Sequence, residues 1–239
     1  MSINYVINKD DQEFYSKNDY VVLENFFCKT TIDALGKTIT EAPESWWSSS
    51  TLDYDTHTPI NVPYLPHNKI EIEVRQKHAT SKLCTGEFCY RFDRLRDGHY
   101  ENCPCNVCKF ASTLHSTELL DFCKKFTQDE SLGEIPLDPF YSRYKTDDFL
   151  SLHTDAVTKK NGKPRKLAVV IHLTKNWKPW YGGNLMLLDK QGDFIKKALT
   201  PLFNSVTLMR VEEEGVPHYV DPLITGKFDK NRYAISMWY

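Results

Sequence analysis

The feature that most constrains the fold is a series of short strand-like segments that begins after Pro139. These segments are rich in β-branched and aromatic residues, and turn residues such as Asn161-Gly162 and Gly182-Gly183 separate them. Short strands with frequent glycine turns are typical of an antiparallel barrel or a two-sheet jelly roll. We predict a mainly β core formed by the segments 140–145, 166–173, 184–188, 205–211 and 232–239.

The first half of the chain has a different pattern. It predicts a short strand from residue 20, a helix over about 30–40 that is capped by a threonine, and an amphipathic helix over 113–127. Residues 41–80 are polar and contain four prolines, so we expect an irregular excursion or lid in which residues 70–75 form a half-exposed strand. We therefore predict a single domain over residues 1–239. Residues 1–135 form N-terminal helical support and a lid or insert, and residues 136–239 form the jelly-roll core.

Composition narrows the choice of partners. The chain has 239 residues and a net charge of −2, so there is no basic field that would attract nucleic acid. No apolar stretch approaches the length of about 20 residues that a membrane span needs, and the first residues lack a signal-peptide core. We expect a soluble, cytoplasmic protein with neither a nucleic-acid nor a membrane partner.

One pattern suggests a metal site. His153 and Asp155 are separated by one residue, and on an extended strand such residues point to the same face. His218, far downstream, could supply a third ligand. Two imidazoles and a carboxylate on one side of an ion leave positions open, as in non-haem iron(II) oxygenases. The His-x-Asp pair alone is weak, because a strand histidine is more often a hydrogen-bonded surface or core residue.

Arg232 opens the last strand, fourteen residues after His218. If its side chain points into a barrel with Ala234, Ser236 and Trp238, a buried anion is needed to balance the guanidinium. An arginine fork can bind both oxygens of a carboxylate, so Arg232 is a candidate anion anchor. The alternative is an exposed arginine at a strand end.

Together these residues resemble a known family. Tyr144 lies nine residues before His153-Thr154-Asp155, and a strand with the sequence RKLAVVIHLTKNW begins at Arg165. The resemblance is completed by Gly182-Gly183-Asn184-Leu185, Pro217-His218 and the last strand, RYAISMWY. Residues 144–239 resemble the prolyl hydroxylase branch of the iron(II)/2-oxoglutarate oxygenases, both the oxygen-sensing and the ribosomal-protein prolyl hydroxylases.

The resemblance implies a double-stranded β-helix, that is, a jelly-roll or cupin-like core. It implies Fe(II), 2-oxoglutarate and O₂ as cofactors, with ascorbate in support. His153, Asp155 and His218 would then hold iron, and Arg232 would bind the far carboxylate of 2-oxoglutarate. Tyr144 would line the cosubstrate pocket. His172 stands where the family usually has a tyrosine that binds the same carboxylate; the alternative for His172 is a core histidine that faces away.

The substrate is not fixed by the resemblance, because residues 45–112 do not match the family's substrate-binding loops. We expect hydroxylation of an aliphatic C–H, in the first instance of a prolyl residue in a protein or peptide. A free amino acid or other small metabolite is the alternative substrate. A third hypothesis, of another class, is a catalytically inactive binding module that a metal stabilises.

Seven cysteines are present, and three of them lie close together at Cys103, Cys105 and Cys108. Thiolates at short spacing can bind zinc, and Cys84, Cys89 and His99 are near in sequence. However, Cys-x-Cys-x₂-Cys is not a common zinc-finger spacing. A structural zinc site at these three cysteines is therefore one hypothesis, and thiols without a metal are the other.

Overall fold

The computed structural model describes residues 2–95, 107–108, 114, 117–133, 139–156, 164–211, 215–226, 228 and 230–239. The α-helices with described bounds are α1 Lys9–Asn18, α2 Lys29–Thr40, α3 Lys69–Thr85 and α4 Thr117–Thr127. The first strands are β1 Tyr20–Leu23, β2 Trp47–Asp53, β3 Thr58–Pro63 and β4 Tyr90–Leu95. The later strands are β5 Phe140–Tyr144, β6 Phe149–His153, β7 Leu167–His172, β8 Leu185–Leu188, β9 Ile195–Leu199, β10 Val206–Arg210, β11 His218–Val220 and β12 Arg232–Trp238.

The eight later strands form two antiparallel layers. One layer has the order β10-β7-β12-β5, and the other has the order β6-β11-β8-β9. Apart from the β8–β9 hairpin, successive strands alternate between the layers in the manner of a jelly roll, so the predicted double-stranded β-helix is confirmed. The five strands predicted after Pro139 are all present, each within two residues of the predicted bounds.

Strands from the first half of the chain extend and join these layers. β1 pairs with β10 at one edge. β4 pairs with β5 through Asp93 and Arg94 and with β6 through Tyr90 and Arg91, so it connects the two layers. The hairpin of β2 and β3 continues the sheet from the other side of β4. The first half is thus more than helical support, and the predicted division at residue 135 remains a prediction.

Side chains of β12 alternate between the inside and the outside of the jelly roll. Arg232, Ala234, Ser236 and Trp238 line an interior cavity. The residues between them face the helices, and Ile235, for example, is fully buried there. This period of two is the one expected for a strand with two different faces. It confirms that Arg232 points into the barrel.

The helices cover the outer face of the β10-β7-β12-β5 layer. Apolar residues of α1, α2 and α4, such as Tyr15, Leu35 and Phe126, share one hydrophobic core with the outward residues of β7, β10 and β12. Burial of this face is what stabilises the helices, because short helices are marginal in water alone. The layer that carries the inner cavity is therefore held rigidly from behind.

The strand and helix predicted over residues 20–40 are confirmed by β1 and α2, but the threonine cap is wrong. Helix α2 begins at Lys29 after Cys28, which makes no capping hydrogen bond through its side chain. Thr30 and Thr31 therefore lie in the first turn of the helix, where their hydroxyls contact the Cys28 sulfur at 3.2 and 3.1 Å. The cap was misplaced because the helix begins two residues earlier than the polar residues suggested.

The irregular excursion predicted for residues 41–80 is also wrong, since the segment forms the β2–β3 hairpin and most of α3. Prolines argue against a central strand because they cannot donate to the ladder. β3 pairs only with β2 among the described strands, so Pro59 and Pro63 lie on an edge strand, where a proline is tolerated.

The half-exposed strand predicted for residues 70–75 is helical instead. Ile72 is buried, whereas Ile70 and Val74 are exposed on the opposite side of α3. The alternation of apolar residues was accidental, because the buried face of the helix continues from Ile72 to Ala79 at helical spacing. The helix ends before Gly86, which adopts a left-handed conformation.

Among the described residues, no helix combines the length and the apolar character that crossing a lipid bilayer requires.

Gly182 allows two chain segments to touch. It has a φ of +71°, and a Cβ at this position would lie 2.1 Å from the carbonyl oxygen of Pro222. We expect Gly182→Ala to lower the free energy of unfolding by about 2–5 kcal/mol, from left-handed strain plus the clash. Gly86 is a matched control, because its φ is +74° but the space around it is open. Gly86→Ala should cost only the strain, about 1–2 kcal/mol, in urea unfolding; equal losses for both variants would contradict the close contact.

Candidate functional site

Two histidines meet across a strand pair. His153 ends β6 and His218 begins β11, and the two residues are direct partners in the antiparallel ladder. Opposed residues of an antiparallel pair project to the same face of the sheet. Their imidazole rings accordingly lie side by side, with centroids 4.2 Å apart.

Asp155 completes the group from the loop just after β6. One carboxylate oxygen is 3.8 Å from Nε2 of His153, and the other is 3.8 Å from Nε2 of His218. One ligand atom from each of the three residues lies within 4.8 Å of the others. The structure therefore brings together the three residues that the sequence singled out, although β6 ends before Asp155.

Backbone carbonyls determine which ring nitrogens carry protons. Nδ1 of His153 lies 2.9 Å from the carbonyl oxygen of Ser151, and Nδ1 of His218 lies 2.7 Å from that of Val216. A carbonyl oxygen only accepts, so each Nδ1 donates and each Nε2 presents a lone pair toward Asp155. Burial and the neighbouring His218 lower the pKa of His153 to about 4, which keeps this imidazole neutral near pH 7.

This donor set fits a ferrous ion. Two imidazole nitrogens and one carboxylate converge from one side, and no other described side chain completes the group, so positions remain for a cosubstrate and O₂. A bound Fe(II) ion supplies oxygen activation for oxidation of a C–H bond. The chain supplies the orientation of the ligands, which the two Nδ1 hydrogen bonds and the β6–β11 pairing hold in place.

The three side chains face a cavity of about 230 Å³ between the two layers. Its walls are mainly apolar and aromatic, with contributions from both halves of the chain. The aromatic lining residues are Phe88, Tyr90, Phe92, Phe140, Tyr144 and Trp238.

Arg232 lies in the same cavity. It is 3% exposed, and its guanidinium lies over the ring of Tyr144, 4.9 Å from the ring centre. Its Nε has no hydrogen-bond partner among the described residues, and burial lowers the pKa of the guanidinium. Asp221 is near enough to attract the guanidinium but makes no salt bridge with it, so the buried charge is only partly balanced and the position favours an anion.

Gly183 makes room for this arginine. A Cβ at Gly183 would lie 3.0 Å from Cδ of Arg232 and 2.7 Å from Cδ1 of Leu223. The paired glycines, which locally look like a simple turn, thus also leave space for the arginine stem.

Tyr144 and His172 flank Arg232 on the two neighbouring strands. Tyr144 is the ladder partner of Arg232, lines the cavity, and is kept neutral because burial raises the pKa of its phenol. His172 pairs with Ala234, lies near Arg232, and is on the same face of β7 as Ala168 and Val170, which line the cavity. Burial and the nearby Arg232 lower the pKa of His172 to about 3, so its imidazole is neutral.

The sequence analysis did not predict that β4 and the residues just before it line the cavity. Phe88 lies 5.8 Å from the ring of His153, and Phe92 stacks on Tyr144 at 5.1 Å. The signal was present in the chain, because Phe88, Tyr90, Phe92 and Arg94 alternate with other residues and all four line the cavity. A period of two over these positions is typical of a strand with one face inside a barrel.

The cysteine hypothesis lies mostly outside the described residues, since Cys103 and Cys105 are not among them. Cys108 is half-buried, Cys84 is exposed and Cys89 is buried. Within the described part of the chain, none of these cysteines belongs to a group with metal-binding geometry. Zinc at Cys103, Cys105 and Cys108 therefore remains a prediction.

Comparison with known proteins agrees with this geometry. A sequence model described as the 2OG-Fe(II) oxygenase superfamily matches residues 140–239, which are β5 to β12. No curated protein sequence matches the chain.

Solved structures share the fold over nearly the whole chain. A Trichoplax adhaerens prolyl hydroxylase, in complex with a hypoxia-inducible-factor peptide, has a TM-score of 0.62 at 18% identity and covers 96% of this chain and 86% of its own. A Pseudomonas putida prolyl-4-hydroxylase has a TM-score of 0.54 at 15% identity, with 100% and 95% coverage. HygX of Streptomyces hygroscopicus, with nickel and 2-oxoglutarate bound, has a TM-score of 0.50 at 11% identity, with 97% and 86% coverage.

The superfamily match covers the segment that contains His153, Asp155, His218 and Arg232. The solved neighbours share the jelly-roll fold. Residues 140–239 therefore match the 2OG-Fe(II) oxygenase superfamily, which supports a 2-oxoglutarate-dependent dioxygenase, and the chain as a whole has the fold of the prolyl hydroxylases.

Proposed function

We propose that this dioxygenase hydroxylates an aliphatic C–H of a prolyl residue in a protein or peptide. In this proposal His153, Asp155 and His218 hold Fe(II), and Arg232 binds the distal carboxylate of 2-oxoglutarate. The keto-acid end of the cosubstrate would then face the metal, with Tyr144 along its side. The metal ligands and the guanidinium lie in one cavity, so a single dicarboxylate can contact both.

The observation that carries the substrate class is the aromatic mouth of the cavity. Phe88 is 45% exposed and yet lies 5.8 Å from the ring of His153, so the metal position is close to the outer surface. Trp238 is half-buried on another wall. Aromatic walls bind a saturated, uncharged ring through apolar contact, and an open mouth admits a residue that is part of a longer chain.

Hydrogen-bond donors at this wall support a peptide substrate. Nε1 of Trp238 is buried and has no partner among the described residues, and the same holds for Nε of Arg165. The Arg165 guanidinium lies 4.2 Å from the centre of the Trp238 ring, so the two donors are close together. A peptide carbonyl is a suitable acceptor for either group, because unpartnered buried donors are costly until they are satisfied. The Trichoplax prolyl hydroxylase, which has a similar fold, is in complex with a peptide, and this also supports a peptide substrate.

A free amino acid or other small metabolite remains the second candidate, and one observation favours it. The β2–β3 hairpin contributes Ser50 and Pro59 to the cavity lining, so part of the opening is covered. The two candidates differ in the need for peptide bonds around the target residue. A comparison of peptides with free amino acids therefore separates them.

The experiment supplies purified protein with Fe(II), 2-oxoglutarate, ascorbate and O₂. Proline-containing peptides, the same peptides with alanine in place of proline, and free amino acids are offered in parallel. We expect succinate and a one-oxygen mass gain with the proline peptides, but not with the alanine peptides. Oxidation of free amino acids alone would support the second candidate. Absence of 2-oxoglutarate binding and turnover would support an inactive binding module instead.

The variant Trp238→Phe tests the donor while it keeps an aromatic wall. We expect the KM for a proline peptide to rise about tenfold, the typical value of one buried hydrogen bond. Turnover of 2-oxoglutarate without substrate should be unchanged, since the indole N–H does not face the metal ligands in this assignment. An unchanged KM for the peptide would contradict the role of Trp238 in peptide recognition.

A further inference from the structure

Two polar atoms beside the proposed carboxylate position have unused hydrogen-bonding capacity. Nε of Arg232 and Nδ1 of His172 are both buried, and neither has a partner among the described residues. Arg232 is 3% exposed and His172 is 1% exposed. Because buried polar groups are nearly always satisfied, two such atoms on residues of neighbouring strands that influence each other electrostatically point to a shared missing partner.

The other nitrogen of His172 does have a partner. Nε2 lies 3.1 Å from the hydroxyl oxygen of Thr207, which is fully buried on β10. β7 lies between β10 and β12, so Thr207 and Arg232 are on opposite sides of His172. The two nitrogens of an imidazole ring project in nearly opposite directions. With Nε2 directed at Thr207, Nδ1 faces away from β10, and Arg232 is near enough to His172 to influence its charge.

Proton accounting then selects one tautomer. If Nε2 carried the proton, it would donate to Thr207, and the buried threonine hydroxyl would have no acceptor for its own hydrogen among the described residues. Nδ1 would also present a lone pair to any carboxylate bound at Arg232. If Nδ1 carries the proton, Thr207 donates to Nε2, and Nδ1–H is free to donate to the carboxylate. Only the second arrangement satisfies every group once an anion is bound.

We propose that Thr207 is a positioning residue that holds neutral His172 as the Nδ1–H tautomer, so that His172 and Arg232 together bind the distal carboxylate of 2-oxoglutarate. The inference rests on the proposed position of the cosubstrate. It also explains why an imidazole can stand where the resembling enzymes usually have a tyrosine. A phenol has only one polar atom and needs no such selection, whereas an imidazole must have the correct nitrogen protonated.

The test uses the Zn(II)-loaded full-length protein, because zinc has no redox chemistry. Histidine-selective ¹⁵N NMR reports the tautomer of His172, with His172→Asn to assign its signals. Calorimetry compares the affinity for 2-oxoglutarate with that for 2-oxobutanoate, a keto acid without the distal carboxylate. We expect the Nδ1–H tautomer in the wild-type protein and a clear preference for 2-oxoglutarate.

Thr207→Val keeps the shape of the side chain and removes the hydroxyl. It should shift the tautomer of His172 and lower the affinity for 2-oxoglutarate about tenfold, while the affinity for 2-oxobutanoate is unchanged. Thr207→Ser restores the hydroxyl and should recover both readouts. A purely structural role would affect both ligands equally, so the ratio of the two affinities is the decisive measurement.

The proposal is overturned if wild-type His172 carries its proton on Nε2, or if Thr207→Val leaves the affinity ratio unchanged. In either case the wild-type protein would still prefer 2-oxoglutarate through Arg232, and the proposed function would stand. If instead the wild-type protein does not distinguish the two keto acids and Arg232→Met changes neither affinity, the position of the cosubstrate is itself wrong. The experiment therefore distinguishes a wrong role for Thr207 from a wrong position of the cosubstrate.

Discussion

Asp155→Ala is expected to lower turnover of 2-oxoglutarate by about 1000-fold or more. Loss of a group that only orients a metal ligand typically costs 10–100-fold in metal affinity or activity, and loss of a ligand itself costs more. The two oxygens of Asp155 face Nε2 of His153 and Nε2 of His218 at equal distances of 3.8 Å. No other described carboxylate has this position, so nothing nearby can replace it.

The measurement is succinate formation with Fe(II) and ascorbate, together with Fe(II) affinity under anaerobic conditions. Asp193→Ala is the control, because Asp193 is exposed and lies away from the cavity. Asp155→Glu keeps the charge but moves the carboxylate by one methylene group, and it should retain a small part of the activity. Wild-type turnover in Asp155→Ala would show that the three-residue group is not the catalytic metal site.

The jelly-roll core could be predicted from the sequence because the strand-like segments after Pro139 are also strands in the folded protein. Short segments of period two, separated by glycine turns, have few alternatives to antiparallel pairing. The same period put Arg232 on one face with Ala234, Ser236 and Trp238, and the structure shows that this face lines the cavity. What the local pattern could not provide is the pairing of His153 with His218, because residues far apart in the chain meet only in the folded sheet. The resemblance to a known family supplied that link.

The first half of the chain was predicted less well, for physical reasons that differ from place to place. Pro59 and Pro63 argue against a strand until it is known that β3 is an edge strand. Ile70 and Val74 look like one side of a strand but are exposed residues of a helix. In both segments the tertiary neighbours, and not the local pattern, decide the outcome.

Thr207 shows a second limit of the sequence. A threonine on a strand is ordinary, since β-branched residues are favoured there. Its significance depends on the distance of 3.1 Å between its hydroxyl and Nε2 of His172, and on the unpartnered nitrogen on the other side of that ring. Neither fact is visible without coordinates.

Arg232→Met is expected to have opposite effects on stability and on cosubstrate binding. The wild-type guanidinium is buried without an ion-pair partner among the described residues, and burial lowers its pKa. Replacement of a buried charge by an apolar side chain of similar length should raise the stability of the ligand-free protein by about 1–3 kcal/mol. Removal of the only guanidinium beside Tyr144 in the described structure should weaken 2-oxoglutarate binding by at least about 100-fold.

Two measurements on the same samples separate these effects. Thermal unfolding without ligand should give a higher Tm for Arg232→Met than for the wild-type protein. In samples already loaded with Zn(II), addition of 2-oxoglutarate should raise the Tm of the wild-type protein but not that of the variant, because only a ligand that binds the folded state stabilises it. Arg210→Met is the matched control, since Arg210 lies on β10, is 40% exposed and pairs with Asp19 at 3.3 Å.

Arg232→Lys tests whether charge alone is sufficient. A lysine ammonium keeps the charge but cannot bind both carboxylate oxygens with a planar fork, so we expect an affinity between those of the wild-type protein and Arg232→Met. The two effects have opposite signs because the charge costs desolvation in the ligand-free protein and attracts the carboxylate when the cosubstrate binds. If Arg232→Met instead lowered the Tm and bound 2-oxoglutarate normally, the arginine would serve the fold, and the carboxylate would have to bind elsewhere in the cavity.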